Sequence, residues 1–192
     1  ECVVAIGEIK SKLTLSGLKN ALIKLSQFKV YRSQISDRIT IYQKYEQQRS
    51  VDGFATQKNK YDQLFTFLMC KEFKFDYLSS DFENSLYEGD FEPNHRHNLI
   101  LSISDGIAMY NDNKLKAISP EGADPRGKKI ICQHPVHMLN IQGFDNIILD
   151  ADFMKSDEKD SHNVAFATSF NQGVKNITLL PVDIVDYTGI YF

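Results

Sequence analysis

The first ten residues constrain the fold of this chain most. Residues 3–10 read VVAIGEIK, in which small and β-branched apolar residues lead into an acid and a base. Such a run is typical of a β-strand. Because successive side chains of a strand point to opposite faces, Glu8 and Lys10 share one face with Ile6, and Ile9 lies on the other. The sequence therefore predicts two opposite charges side by side where a core strand ends.

An amphipathic helix is predicted after a turn at residues 11–14. Leucines recur at steps of three and four residues, which predicts a helix over 16–29 with one apolar stripe, flanked by Phe28. Thr14 or Ser16 can cap its first turn. A second stripe at the same spacing is polar and consists of Asn20, Lys24, Gln27 and Tyr31. The opening unit is therefore a strand, a turn and a helix, with charge where they meet.

Further strands and helices are predicted along the rest of the chain. Apolar runs predict strands at 64–70, 99–104, 107–110, 115–118 and 129–132. Helical spacing predicts helices at 38–48, 76–86 and 163–172, the last ending at Gly173. Asp105-Gly106 is a strong turn signal between two of the strands. Together these elements predict one α/β domain over residues 1–192, with a mixed central sheet flanked by helices.

Length and composition favour a single packed domain. The chain has 192 residues, of which 42% are hydrophobic, and this is ample for a core. A formal net charge of −3 provides no general basic field, so nucleic-acid binding would require a local patch. The three cysteines form no CxxC pair, which favours a reducing, cytoplasmic compartment over a disulfide framework. We expect no membrane partner, since no apolar run is long enough to span a bilayer.

The tripeptide Glu8-Ile9-Lys10 is a common pattern, and Glu72-Phe73-Lys74 repeats it later in the chain. Context favours the first copy, because an amphipathic helix carrying Lys19 and Lys24 follows it. The region after the second copy carries carboxylates, which would repel a polyanion. Glu8 and Lys10 are therefore the candidate catalytic residues.

Residues 4–13, VAIGEIKSKL, resemble the E-x-K strand of the PD-(D/E)XK nuclease superfamily. They are most similar to an uncharacterised bacterial family, domain of unknown function 6602, whose members carry an E-[IV]-K-S strand. The strand beginning at Leu99, the Asp105-Gly106 turn and the C-terminal helix are also similar to that family. The resemblance implies a restriction-endonuclease-like core and metal-dependent hydrolysis of DNA phosphodiesters.

Roles for individual residues follow from this resemblance. Glu8 would bind Mg²⁺ or Mn²⁺, the carbonyl group of Ile9 would add an oxygen ligand, and Lys10 would orient the attacking water. Gln27 and Tyr31 resemble a Q-x-x-x-Y motif on the DNA-facing helix of RecB-like nucleases. The implied contacts to nucleic acid are Lys12, Lys24, Gln27 and Tyr31.

One part of the superfamily's metal site has no counterpart in the sequence. The resemblance places a metal-binding Asp on a strand before the motif, whereas nothing precedes Glu1 here. Glu1 is an odd-numbered residue, so it would lie on the strand face opposite Glu8. Asp105 is a fallback ligand. We therefore expect the native protein to extend upstream, and we expect weak or no cleavage by this chain alone.

Two other functional interpretations stay open. A catalytically inactive interaction or nucleic-acid-binding module on the same scaffold would fit the negative net charge and the missing Asp. Alternatively, Glu8 and Lys10 simply pair with each other, a contribution of about 0–1 kcal/mol if they are exposed. The sequence contains no phosphate loop, nucleophile elbow or dinucleotide fingerprint.

The histidines suggest a rival site. Cys132, His134 and His137 lie within six residues and are suggestive of Zn²⁺, but no fourth ligand appears at a finger spacing. His95 and His97 are expected in a solvated loop over 89–98. Residues 157–160 are expected to be a solvated charge run.

Overall fold

A computed structural model describes residues 3–34, 42–44, 47–49, 61–86, 91–111, 131–132, 134–137 and 147–177. The strands are β1 Ala5–Leu13, β2 Tyr42–Lys44, β3 Gln47–Arg49, β4 Phe65–Phe73, β5 Leu99–Ser102, β6 Gly106–Asn111, β7 Ile131–Cys132, β8 Val136–His137, β9 Ile147–Ile148 and β10 Asp150–Lys155. The helices are α1 Leu15–Ser33, α2 Ser80–Ser85 and α3 Ser161–Lys175, with a 3₁₀ turn at Pro93–His95.

Five strands form a mixed central sheet in the order β1-β4-β5-β6-β10. The strands β1, β4 and β5 are parallel to one another, whereas β6 and β10 are each antiparallel to the preceding strand in that order. The short β7 also pairs with β6, and β2–β3 and β8–β9 form separate antiparallel pairs. The predicted α/β class with a mixed sheet is confirmed.

Two helices cover the two faces of the sheet. On one face, the apolar stripe of α1 packs with Leu68 and Ile100 from the sheet. On the other face, α3 contributes Phe166 to a cluster with Phe65 and Leu99. The central strands are therefore buried on both sides, which explains why β4 reads as a nearly continuous apolar run.

The predicted turn at 11–14 is wrong, because β1 continues through Leu13. The register places Lys12 opposite Glu72 on β4, so the parallel ladder extends beyond the charged pair. Leu13 is fully buried. Thr14 ends the strand and caps α1, accepting a hydrogen bond from the backbone N–H of Gly17 at 3.2 Å, as predicted.

The hairpin predicted at Asp105-Gly106 is confirmed as the connection between β5 and β6. Gly106 has φ +145°, and an added Cβ would lie 2.1 Å from the carbonyl oxygen of Met154. Both the backbone angle and the close neighbour require glycine here.

Several predicted helix boundaries change. Short paired strands occupy 42–44 and 47–49, so the helix predicted at 38–48 is wrong there, and its other residues lie outside the described part. The helix predicted at 76–86 shrinks to Ser80–Ser85, because Asp76 forms a local turn by accepting the N–H of Leu78. Gly173 lies inside α3 and does not end it. The strand predicted at 115–118 lies outside the described residues.

No helix in the described ranges is both long and apolar enough to cross a membrane. The charge run at 157–160 is exposed, as predicted.

Candidate functional site

Glu8 and Lys10 lie on the face of β1 that α1 covers. Lys10 Nζ is 2.6 Å from Glu8 Oε1, and Lys24 Nζ on α1 is 3.5 Å from Glu8 Oε2. The side chain of Glu8 is 20% exposed, against 36% for Lys10 and 67% for Lys24. The carboxylate is therefore the shielded member of the triad, and an ammonium group lies at each of its oxygens.

These contacts lower the pKa of Glu8 below its ordinary value of 4.5. The hydrogen bond from Lys10 is the largest cause, and the charges of Lys10 and Lys24 act in the same direction. Partial burial, the second-largest effect, raises the pKa of Glu8, but the effects of the two lysines together outweigh it. Glu8 is therefore ionised at neutral pH.

A groove of about 410 Å³ opens between β1 and α1 beside this triad. Its lining includes Ile6, Glu8, Lys24, Gln27, Phe28 and Tyr31. The lining residues that belong to α1 are three or four positions apart, so one stripe of that helix faces the groove. The structure thus brings together Glu8, Lys24, Gln27 and Tyr31, which the sequence had grouped, although their roles remain predictions.

Phe28 was expected to flank the apolar stripe, but it is 42% exposed and lines the groove. The stripe turns away from Phe28 after Leu25 and continues through Lys29 and Arg32, both of which are buried. This leaves the aromatic ring on the groove side of α1.

Two other predicted residues lie apart from the groove. Lys12 Nζ is 3.7 Å from Glu72 Oε1, and Lys74 Nζ is 2.9 Å from Oε2 of the same carboxylate. The second E-x-K tripeptide therefore forms its own ion pair on the neighbouring strand. The side chain of Ile9 is 72% exposed on the opposite face of β1, and the role of its carbonyl group remains a prediction.

Cations outnumber carboxylates where β1 and β4 run side by side. The carboxylates here are Glu8, Glu72 and Asp105, the last of which contacts the end of β4. The cations are Lys10, Lys12, Lys24, Lys71 and Lys74. A chain of net charge −3 thus carries a local positive patch at this edge, the kind of patch that attracts polyanions.

The described residues hold no complete set of metal ligands, so the metal-binding role of Glu8 remains a prediction. They contain no group of three or more His, Cys, Asp or Glu side chains that could hold a metal ion. Mg²⁺ takes an octahedral shell of oxygens, commonly one or two carboxylates with water and substrate phosphate. Glu8 fits one position of that shell once its lysine partners turn away.

Asp105 does not belong to this site. Its carboxylate accepts hydrogen bonds from the backbone N–H of Phe73 at 2.7 Å and from the hydroxyl of Ser102. These contacts fix the turn between β5 and β6, so the structure gives no support to Asp105 as a substitute ligand.

A buried polar network centred on Lys29 was missed by the sequence analysis. Lys29 is 1% exposed, and its Nζ donates to the carbonyl oxygen of Arg96 at 2.6 Å and to Asn98 Oδ1 at 2.7 Å. Burial lowers its pKa to about 7. Asn98 Oδ1 also accepts the backbone N–H of Thr66, and Asn98 Nδ2 lies 3.2 Å from His134 Nδ1. The network therefore fastens α1 to the amino ends of β4 and β5.

In the loop expected to be solvated, the side chains of His95 and His97 are instead buried, with exposed fractions of 8% and 2%, whereas Glu92 is exposed. The 3₁₀ turn folds the loop onto α1, where His95 Nε2 lies 2.9 Å from the hydroxyl oxygen of Ser33. Burial, together with the charges of Lys29 and Arg96, lowers the pKa of His97 to about 3. Both rings therefore belong to the core.

His134 is buried as well, with its ring edge-on to Tyr61 and Phe65. The side chains of Cys132 and His137 lie outside the described part of the chain. The Zn²⁺ hypothesis stays a prediction.

No protein-family model matches this chain, and no curated protein or solved structure gives a significant match. The resemblance to the PD-(D/E)XK nucleases therefore rests on the motif around Glu8 and Lys10, and it remains a prediction.

Proposed function

We propose that this chain is a nuclease-like domain with a restriction-endonuclease-like core, and that it hydrolyses DNA phosphodiesters with Mg²⁺ at Glu8 and Lys10. One observation supports this most. The acid and the base of the motif lie on one strand face, beside a third charge from α1, at the edge of a groove large enough for a nucleotide. A reducing, cytoplasmic location accompanies the proposal, since Cys70 is a free, buried thiol.

The residues of the triad can exchange partners when DNA arrives. Lys24 is largely exposed, and an exposed ion pair contributes only about 0–1 kcal/mol, so Lys24 would move from Glu8 to a phosphate at little cost. Lys10 would follow when a phosphate replaces the shielded carboxylate as its partner. Lys24 would then neutralise the phosphate from the helix side, and Lys10 would donate a hydrogen bond to a water or a phosphate oxygen. Glu8, released from both lysines, would become available as a ligand.

Bound Mg²⁺ would activate the attacking water and offset the charge that develops on the phosphate. Besides Glu8 and the carbonyl group of Ile9, the oxygen ligands of the ion would be water, the phosphate or residues outside the described ranges. We therefore expect weak or no cleavage by this chain alone.

A second candidate function is nucleic-acid binding without cleavage. The ion pairs of Glu8 favour it, because both carboxylate oxygens already have ammonium partners. Within the described lining of the groove, Glu8 is also the single carboxylate.

The test is single-turnover cleavage of labelled DNA with protein in excess, in Mg²⁺, Mn²⁺ or EDTA. Glu8→Gln and Lys10→Met should abolish metal-dependent cleavage. Glu72→Gln and Lys74→Met are matched controls, because they change the same tripeptide outside the groove. Loss of Lys74 from the positive patch can weaken DNA binding, but any metal-dependent cleavage should remain.

The two candidates give different results in this test. Binding that is weakened by Lys24→Ala, with no cleavage in any metal, would replace the nuclease by the binding module. Absence of both binding and cleavage would reject both.

A further inference from the structure

The groove beside Glu8 exposes more aromatic surface than phosphate binding requires. Phe28 is 42% exposed and Tyr31 is 64% exposed, and both line the groove. They are three residues apart on α1, a spacing that makes side chains neighbours on a helix surface. Large apolar side chains that are left exposed in a concave site mark a binding surface.

The polar members of the same stripe complement these rings. Lys24 offers a cation at the edge of the groove, and the amide of Gln27 offers both a hydrogen-bond donor and an acceptor. A nucleotide offers the flat face of its base, the polar edge of that base and an anionic phosphate. The groove therefore presents a matching surface for each part.

We propose that the groove takes one unpaired nucleobase, stacked on Phe28 and Tyr31, so that the domain prefers single-stranded DNA to duplex. The proposal rests on the DNA binding proposed above, and it holds for either candidate function. In a duplex each base is covered on both faces by its neighbours. Only an unpaired base can offer a face to the aromatic side chains.

The volume of the groove agrees with this assignment. About 410 Å³ lies within the range of about 300–1,000 Å³ that small-molecule sites occupy in proteins. The rings belong to one helix, so they require no rearrangement of the sheet to meet a base.

The experiment measures binding by fluorescence anisotropy in EDTA, which prevents metal-dependent cleavage. Three labelled probes of equal length separate the contributions: an oligothymidine strand, a strand with every base replaced by an abasic sugar, and a duplex. The abasic strand keeps all of its phosphates, so its affinity reports charge alone. The oligothymidine strand adds the bases.

The wild-type protein should bind oligothymidine more tightly than the abasic strand by roughly 5- to 160-fold, which is the affinity equivalent of about 1–3 kcal/mol for one stacked base. Phe28→Ala and Tyr31→Ala should remove most of this preference, whereas Tyr31→Phe keeps the ring and should retain it. Lys24→Ala should weaken binding of both strands by a similar factor. Val164→Ala is the control, because Val164 is 64% exposed on α3, away from the groove, and it should change nothing.

Three results would overturn the proposal. Equal affinity for oligothymidine and the abasic strand would show that no base is bound. Duplex binding as tight as single-strand binding, unaffected by Phe28→Ala, would leave the DNA-binding function standing without the base pocket. Binding of no probe at all would reject both the pocket and the proposed function. Circular dichroism of each variant checks that these exposed substitutions leave the fold intact.

Discussion

Replacing Lys29 by Met should make the stability of the protein less dependent on pH. Lys29 is buried, and its charge lowers the pKa values of the neighbouring His95 and His97. Its ammonium form is therefore disfavoured in the folded protein, where burial lowers its pKa from the ordinary 10.5 to about 7. Met has a similar length and no charge, so it removes the titrating group while filling the same space.

The magnitude follows from the two pKa values. One pKa unit corresponds to ~1.4 kcal/mol of free energy. Lowering the pKa of Lys29 from 10.5 to about 7 therefore costs the folded protein on the order of 5 kcal/mol of stability when the pH is near 7. The unfolded chain binds a proton at Lys29 in this window and the folded chain does not. The free energy of unfolding of the wild-type protein therefore falls as pH drops from 10.5 towards 7, and this effect becomes constant below 7.

The substitution also has a cost. Met cannot donate the hydrogen bonds that Lys29 makes to the carbonyl oxygen of Arg96 and to Asn98 Oδ1, and the loss is worth about 1–3 kcal/mol. Asn98 Oδ1 keeps the backbone N–H of Thr66 as a donor. We therefore expect Lys29→Met to be more stable than the wild type at pH 7 by about 2–4 kcal/mol, with the advantage gone near pH 10.

Urea unfolding of both proteins between pH 6.5 and 10 measures this difference. The free energy of unfolding of Lys29→Met minus that of the wild type should fall by about 1.4 kcal/mol per pH unit above pH 7.5. Lys24→Met is the control, because Lys24 is exposed on the same helix, and its difference from wild type should be nearly flat over this range. A Lys29→Met difference that is equally flat would mean that Lys29 keeps an ordinary pKa, and the reasoning from burial would be wrong.

Two further predictions concern a tight contact and the charged triad. Gly173→Ala should lower the stability by about 1–3 kcal/mol despite the higher helix propensity of Ala, because its Cβ would lie 2.1 Å from a ring atom of Phe65; a raised melting temperature would contradict this. Lys24→Ala should raise the pKa of Glu8 in an NMR titration of its carboxylate, since one of two ammonium partners is lost. Because the pKa of Glu8 is lowered in the folded protein, ionised Glu8 stabilises the fold at pH values above its pKa in the unfolded chain. This contribution is lost as the pH falls through the pKa of Glu8 in the folded protein. The Lys24→Ala variant should therefore lose less stability than the wild type over that acidic range.

Local patterns predicted the part of the site that lies on two consecutive elements. The strand period placed Glu8 and Lys10 on one face, and the helix period placed Lys24, Gln27 and Tyr31 on one stripe. Since a helix that links parallel strands packs back onto the sheet, these two groups had to meet. The groove between them follows from the same geometry.

The phase of α1 also contained a signal that was overlooked. Lys29 follows Leu25 by four residues and Leu22 by seven, so it continues the buried stripe. Lysine is rarely buried without partners, and those partners, Arg96 and Asn98, are more than sixty residues away in sequence. No local rule could supply them, and the burial of His95 and His97 escaped prediction for the same reason.

The sequence by itself determined the α/β class, a helix cap at Thr14 or Ser16, the glycine turn at Gly106 and the shared face of Glu8 and Lys10, because each depends on backbone angles or side-chain period over a few residues. Tertiary structure alone decided that β1 extends to Leu13, since the neighbouring strand provides the pairing. It also decided which polar side chains are buried and which ring stays exposed beside the charged pair. Those outcomes depend on which distant segments pack together, and burial is a property of that packing.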